Sequence, residues 1–211
     1  MKQIKMQRPM LDKWQKKAYK ALRICISAGK VENKIISVVG CGKSSEKSII
    51  SLNLAISLAD IGNQVLFIAA DQQSTKLEEL TETMDRTIGL YSLLSGKSNI
   101  NDAICTTNIP RFCILPGGRG ISEISELLEG EYFGRILNVV KEVYDYVIID
   151  TPLWSQSLEG IIIAGKCDEA FLVIESGKVR YEHAQKIKHQ LEKCGCEIAG
   201  VILSNRNMSR E

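Results

Sequence analysis

Short apolar runs alternate with longer amphipathic stretches along this sequence. Apolar runs bounded by polar or glycine positions are typical of buried strands, whereas apolar residues spaced three and four apart are typical of helices. The pattern predicts strands at Lys34–Val39, Gln64–Ala69, Phe112–Leu115, Tyr146–Ile149, Ala170–Ile174 and Ile198–Leu203. It predicts helices at Leu11–Ser27, Ser45–Ile61, Glu131–Val143 and Glu182–Lys193, with short ones around Leu77–Leu80, Gly89–Leu94 and Ile100–Ile104.

This order of elements predicts an α/β fold with a mostly parallel sheet that carries helices on both faces. We expect right-handed connections between the parallel strands. Ligands in such sheets bind beyond the carboxyl ends of the strands. Three predicted strand ends are followed by polar residues, at Gly40–Ser48, Asp71 and Asp150–Pro152. We expect these segments to meet in one crevice, which makes that crevice the candidate site.

Composition narrows the class of protein. Hydrophobic residues make up 45% and charged residues 25% of the 211 positions, which is ordinary for one soluble globular domain. No apolar run reaches the roughly 18 residues of a membrane-spanning helix, and the polar N-terminus does not look like a signal peptide. The seven cysteines are scattered, which favours reduced thiols in the cytosol over a disulfide framework or a zinc site.

Positive charge is concentrated at the start of the chain. Residues 1–30 contain nine Lys or Arg against one acidic residue, Asp12, so the segment carries +8 and the rest carries −6, for a total of +2. A basic segment on an acidic body indicates an acidic partner, nucleic acid or an anionic membrane surface. A solvated helix face is the alternative interpretation.

The stretch between the first predicted strand and the following helix is similar to a phosphate-binding loop, G-x-x-x-x-G-K-[ST]. In such loops backbone N–H groups surround phosphates, the lysine neutralises their charge, and the hydroxyl binds magnesium. Two registers are possible, with either Lys43 or Lys47 as the lysine. The first leaves only Gly40 and Cys41 before the motif, too few residues to surround a phosphate. We prefer the second, which places Lys47 and Ser48 at a helix N-terminus where the dipole favours anions.

In this register Glu46 stands where the loop pattern has glycine. A carboxylate about 4 Å from a phosphate charge costs on the order of 4 kcal/mol at an effective dielectric near 20. A non-glycine residue held at positive φ adds about 1–2 kcal/mol. The electrostatic cost is smaller if the Glu46 side chain turns away from the phosphates. The loop therefore predicts weakened nucleotide binding in a domain that spans residues 31–211, after a basic segment and helix over residues 1–30.

From about Lys17 to Asn205 the sequence resembles the bacterial tyrosine kinases of capsule and exopolysaccharide synthesis. The stretches that carry the resemblance are Lys17–Ile26, Lys43–Ile49 followed by Asn53–Ala55, Val65–Thr75, Gly89–Lys97, Leu115–Gly118, Ser125–Leu128, Tyr144–Pro152, Gly177–Glu182 and the final Gly-Val-Ile-Leu strand. The resemblance implies an α/β fold of the P-loop NTPase type in three layers, with ATP and Mg²⁺ as cofactors.

The resemblance also implies roles for matching residues. It makes Asp71 and Asp150 the expected catalytic residues. The expected magnesium ligands are Ser48, Asp71 and Asp150. The expected nucleotide-contacting residues are Gly42, Lys47, Ser48, Ile49 and Asn205.

The chain departs from the family where chemistry takes place. In the phosphate-binding loop, Ser44 and Glu46 replace glycines. In the stretch Val65–Thr75, Ala69 replaces the first Asp of the family's motif, and Gln73 and Ser74 replace two arginines. Elsewhere Glu159 replaces an Asp, and Lys17 and Lys20 replace the Glu and first Arg of the E-x-x-R-x-x-R oligomerisation helix. No tyrosine follows Tyr181, whereas the family phosphorylates a tyrosine-rich tail. These changes predict impaired or lost kinase activity.

Three functions compete at this point. The first is a degenerate kinase that regulates a polysaccharide assembly complex, the second an active tyrosine autokinase, and the third a partitioning-type ATPase. The third class carries an additional lysine five residues before the loop lysine, where this chain has Gly42. The resemblance implies a cytoplasmic protein, peripheral at the membrane, whose partner is a membrane polysaccharide co-polymerase. Homo-oligomers and an anionic membrane surface are further expected partners, and nucleic acid is not expected.

Overall fold

The computed structural model describes residues 2–27, 34–42, 46–82, 88–118, 124–153 and 158–204. Its strands are β1 (Lys2–Met6), β2 (Lys34–Gly40), β3 (Val65–Ala69), β4 (Thr81–Glu82), β5 (Cys105–Thr107), β6 (Phe112–Leu115), β7 (Tyr146–Asp150), β8 (Glu169–Glu175) and β9 (Glu197–Ser204). Its helices are α1 (Lys13–Ser27), α2 (Glu46–Ala59), α3 (Lys76–Leu80), α4 (Leu90–Leu94), α5 (Ile100–Ala103), α6 (Ile124–Glu129), α7 (Glu131–Val143), α8 (Glu159–Ala164) and α9 (Tyr181–Lys193).

Within these residues the strands form one sheet in the order β4-β1-β5-β6-β3-β7-β2-β8-β9. The strands from β6 to β9 are parallel neighbours, while β5 is antiparallel to β6 and β4 is antiparallel to β1. Asp150 of β7 lies opposite Val38 of β2 and Ala69 of β3. The three polar segments predicted to converge therefore leave the sheet at the same edge.

Helices cover both faces of the sheet, so the predicted α/β fold with three layers is confirmed. On one face Ile36, Val38 and Ile148 pack in the core beneath α1 and α2. On the other face the alternate residues of the same strands, such as Ile35 and Val147, pack against α4, α6, α7 and α8. Because β2 and β7 are buried on both sides, apolar residues occupy successive positions in them.

Helix α2 lies between the sheet and α1, and this position explains its composition. Eleven of its fourteen residues are buried, polar ones included. Helix α1 packs on it mainly through Tyr19 and Ile26, while the Arg23 guanidinium donates to the Ser57 carbonyl at 2.7 Å. Burial raises the pKa of Tyr19 to about 12, which keeps its hydroxyl neutral beside Asn53.

The predicted central strands and long helices are present, with shifts of one or two residues at several ends. Five described elements were not predicted: β1, β4, β5, α6 and α8. Strand β1 alternates exposed lysines with buried Ile4 and Met6, so part of the basic N-terminal segment lies in the sheet. No helix of the described ranges is long and apolar enough to cross a membrane.

Candidate nucleotide and metal site

The Lys47 side chain lies under the carboxyl ends of β3 and β7. Its Nζ donates to Asp150 Oδ1 at 2.5 Å and to the Thr151 carbonyl, and it lies 3.2 Å from Asp71 Oδ2. Only 1% of the side chain is exposed. The lysine selected by the loop register therefore contacts both predicted catalytic carboxylates.

Backbone geometry brings these groups together. The Ala70 N–H donates to the Asp150 carbonyl at 3.0 Å, which fixes the chain after β3 against the end of β7. The Thr151 hydroxyl donates to the Val38 carbonyl at 2.9 Å, which fixes the chain after β7 against β2. At Gly40 an added Cβ would lie 2.9 Å from Leu153 and 3.1 Å from the Lys47 side chain. Glycine there gives Lys47 room to fold over the end of β2.

The site holds more negative than positive charge. Lys47 is the one ammonium that contacts Asp71 and Asp150 in the described structure, and the Ser51 hydroxyl donates to Asp150 Oδ1 at 3.0 Å. Burial raises the pKa of Asp71, Lys47 opposes this effect, and the nearby Asp150 carboxylate adds to it. An excess buried negative charge is costly, and a bound cation would relieve it.

Among the residues that the structure describes, two buried serine hydroxyls next to these carboxylates have no hydrogen-bond partner, Ser48 Oγ and Ser74 Oγ. Both residues line a small cavity of about 10 Å³ together with Asp71, Asp150 and Ala69. That volume corresponds to about one water molecule. Hydroxyl and carboxylate oxygens are ligands that Mg²⁺ prefers, so the residues present fit a cation at this edge of the sheet.

Carboxylates alone do not form a metal cage here. Within the ranges the structure describes, no three Asp, Glu, His or Cys side chains come together as ligands. A magnesium ion would have to complete its coordination with hydroxyls, water and phosphate oxygens, as it commonly does at nucleotide sites.

The other predicted nucleotide contacts are less sharply placed. Gly42 follows β2 and is half-buried, and an added Cβ there would lie 3.1 Å from Val179. Ile49 is half-buried in the first turn of α2, next to Ser48. Asn205 and residues 43–45, including the alternative lysine Lys43, lie outside the described residues.

Three contacts of the site were not predicted from the sequence. Ser51 binds Asp150, and the spacing of one helical turn from Lys47 is the signal that would have indicated it. Ser74 lines the cavity, whereas the sequence marks it only as a departure from the family pattern. Buried Tyr91 donates to the Ala70 carbonyl and so supports the turn before Asp71.

Comparison with known proteins identifies the relatives of this site. The family described as AAA domain matches residues 33–198. The tyrosine-protein kinase CpsD of Streptococcus agalactiae serotype III (strain NEM316) is 34% identical over 191 residues, which cover 90% of this chain and 82% of that protein. The chain belongs to the bacterial tyrosine-kinase family. The resemblance to bacterial tyrosine kinases that the sequence motifs indicate is therefore confirmed.

Solved structures agree with the family and with its fold. The kinase domain of the Escherichia coli tyrosine kinase ETK has a TM-score of 0.81 at 26% identity, covering 93% of this chain and 78% of that one. The septum site-determining protein MinD of Pyrococcus horikoshii, complexed with Mg-ADP, has a TM-score of 0.68 at 25% identity, covering 84% and 72%. Bacterial tyrosine kinases and MinD thus share the P-loop NTPase-like architecture of this chain.

Proposed function

We propose that this chain is an ATP- and Mg²⁺-binding domain that regulates capsular or exopolysaccharide synthesis and has impaired tyrosine-kinase activity. The observation that carries the proposal is the cluster at the end of β3 and β7. Lys47, Asp71 and Asp150 are retained and lie together, while Ala69 faces the same cavity without a carboxylate.

The retained residues would divide the work between phosphate, cation and proton. Lys47 would neutralise phosphate charge, and the magnesium ion would then offset the charge of the two carboxylates. Ser48, Asp71 and Asp150 would hold the magnesium ion, whose role is to neutralise charge on the phosphates. Asp71, with its pKa raised by burial, is the candidate acceptor for the proton of a tyrosine hydroxyl.

The impairment is argued from two positions. General-base catalysis raises reaction rates roughly 10²–10⁴-fold. The lack of a carboxylate at Ala69 therefore lowers the rate strongly if the family's carboxylate takes part in proton transfer or cation binding. Glu46 begins α2 directly before Lys47, at the end of the helix that would face the phosphates. A negative charge there opposes the anion binding that a helix N-terminus favours.

Incubation of the purified chain with Mg-ATP, followed by phosphotyrosine detection, tests this proposal. With an added tyrosine-containing polypeptide as the substrate, we expect little phosphotyrosine from the wild-type chain and a gain in the Ala69→Asp variant. The Asp71→Asn variant in the Ala69→Asp background is the control, and it should lose the gain. Strong phosphorylation of the wild-type chain that disappears in Lys47→Met would instead establish an active autokinase.

A partitioning-type ATPase is the second candidate, favoured by the architecture shared with MinD. Against it stands Gly42, five residues before Lys47, where that class has its additional lysine. Nucleotide-dependent dimerisation separates the candidates. ATP-dependent dimers in sedimentation velocity, together with steady ATP hydrolysis without phosphotyrosine, would favour the ATPase.

We further propose a location at the cytoplasmic face of the membrane, in complex with a polysaccharide co-polymerase. Family membership supports this partner, and homo-oligomers remain a second form of assembly to test. Co-purification of the tagged chain with membrane proteins in detergent is the direct measurement. Recovery of the chain without any membrane protein, in cells that make the polysaccharide, would contradict the proposal.

A further inference from the structure

Helix α1 has two sides that differ sharply in exposure. Its inner side contacts α2 through buried Tyr19 and Ile26, with Leu22 partly buried. At 100° per residue, the positions opposite this side are Lys13, Trp14, Lys17, Lys20, Ala21 and Ile24. We refer to these six residues as the outer face of α1, and all six are exposed.

The outer face presents large apolar side chains to solvent. Trp14 is 71% exposed and Ile24 is 61% exposed, and Met10, just before the helix, is 96% exposed. Exposed Ile61 lies beside Ile24 in a shallow groove that Lys20 also lines. Exposed large apolar side chains grouped on one surface indicate an interaction site rather than ordinary surface composition.

The charge on this face has one sign. Helix α1 contains no acidic residue, and three of the six outer positions are lysines. The Lys17 ammonium lies 5.6 Å from the centre of the Trp14 ring, so the cation and the aromatic group share one patch. Asp12 precedes the helix, and its carboxylate accepts a hydrogen bond from the Gln15 N–H.

We propose that the outer face of α1 binds the surface of an anionic lipid bilayer, with the helix lying parallel to the membrane plane. Lysines beside tryptophan and aliphatic side chains are the combination that membrane interfaces favour, because ammonium groups reach phosphate headgroups while apolar groups enter the acyl boundary. Each basic residue near an anionic leaflet strengthens binding about fivefold. This inference rests on the proposed membrane-side location and identifies the surface responsible.

A contact between two α1 helices is a poorer way to cover the same face. Two outer faces brought together would place lysine against lysine, with no carboxylate on either helix to pair with them. Like charges that face each other oppose association, whereas an anionic leaflet complements every one of these lysines. Charge complementarity thus favours the bilayer over the pairing of two α1 helices.

Vesicle cosedimentation of the full chain tests the proposal. Vesicles of phosphatidylcholine with phosphatidylglycerol should bind the chain at low salt, and pure phosphatidylcholine vesicles should not. The triple variant K13Q/K17Q/K20Q should bind about a hundredfold more weakly, because three fivefold contributions are lost. The matched control is K186Q/K188Q/K193Q on α9, which removes the same charge from exposed positions and should bind like the wild type.

Trp14 supplies a second readout that reports insertion itself. With the other tryptophan removed by W154F, Trp14 emission should shift to the blue on anionic vesicles and not in K13Q/K17Q/K20Q. Equal weakening by the α1 and α9 variants, or unshifted Trp14 emission on bound vesicles, would overturn the proposal. Sedimentation velocity tests for self-association. If the wild-type chain forms oligomers that dissociate in the α1 variants while vesicle binding is unchanged, the outer face of α1 binds a second copy instead.

Failure of this inference can be told apart from failure of the proposed function. Co-purification with a co-polymerase in detergent does not depend on a bilayer, so it would persist if only the lipid contact is wrong. Loss of both vesicle binding and co-purification would reject the membrane-side location as well.

Discussion

Two buried lysines lie near opposite ends of β2 and have different surroundings. Lys34, the first residue of β2, is 2% exposed and pairs with Glu169 at 2.5 Å. Lys47, in the first turn of the helix after β2, is 1% exposed and contacts both Asp71 and Asp150. The Lys34 pair is balanced in charge, whereas the Lys47 cluster has one negative charge more than its cation offsets.

The difference distinguishes a structural ion pair from a binding site. The Glu169 side chain is 17% exposed, so solvent shares in stabilising the Lys34 pair. Asp71 and Asp150 are only 6% and 3% exposed, and beside them lie serine hydroxyls that have no partner within the described part of the chain. A protein that needed only stability would not keep an excess charge and unmatched hydroxyls together, because each is costly when buried.

The largest expected effect is the loss of stability when each of the two lysines is replaced in a separate variant. Lys47→Met should lower the free energy of unfolding by about 3–5 kcal/mol, because two buried carboxylates lose their ammonium. Lys34→Met should cost less, since water reaches Glu169. Urea denaturation without nucleotide measures both. Equal losses would show that the clusters do not differ in the way their exposure indicates.

The two carboxylates of the site should also differ from each other. Asp150→Asn should destabilise the protein by about 2–3 kcal/mol, because Asp150 accepts charge-assisted and hydroxyl hydrogen bonds from Lys47 and Ser51. Asp71→Asn should change stability by less than about 1 kcal/mol, since it removes the excess charge while Lys47 keeps Asp150. The same denaturation assay compares them, and a larger loss for Asp71→Asn would refute the assignment of the excess charge.

Nucleotide affinity should respond to the first residue of α2. Glu46→Gly should tighten Mg-ATP binding about tenfold in calorimetry, because a carboxylate leaves the phosphate-facing helix end. Glu131→Gly is the matched control, since Glu131 is likewise the first residue of a helix, α7, away from the site. Low-micromolar affinity in the wild type, unchanged by Glu46→Gly, would reject the predicted weakness of the loop.

The smallest effect is a pH dependence assigned to Asp71. Burial raises its pKa above the ordinary 3.8, so the folded state holds this proton more tightly than the unfolded state. Stability from this group is therefore greatest below pH 3.8 and decreases as the pH rises to the raised pKa, by about 1.4 kcal/mol for each pH unit between the two values. The difference in unfolding free energy between wild type and Asp71→Asn, measured across this window, should show that fall. A flat difference would contradict it.

The sequence by itself determined the class of fold and the family. Central strands such as Tyr146–Asp150 are apolar at successive positions because both faces are buried, and that pattern is local enough to be recognised without the structure. The preference for Lys47 as the loop lysine also came from the sequence, because Lys47 lies at the start of the predicted helix after β2, where the dipole favours anions. Strand β1 was not predicted because it lies near the sheet edge and three of its five residues are charged or polar.

Only the tertiary structure decided how the predicted residues meet. Lys47 and Asp150 are 103 positions apart, so their contact depends on the strand order β3-β7-β2 rather than on any local pattern. The same packing placed Ser74 in the cavity beside Ala69 and turned Lys13, Trp14 and Lys17 away from α2. Local patterns specify which side chains a segment offers, whereas the packing of the sheet decides which of them become partners.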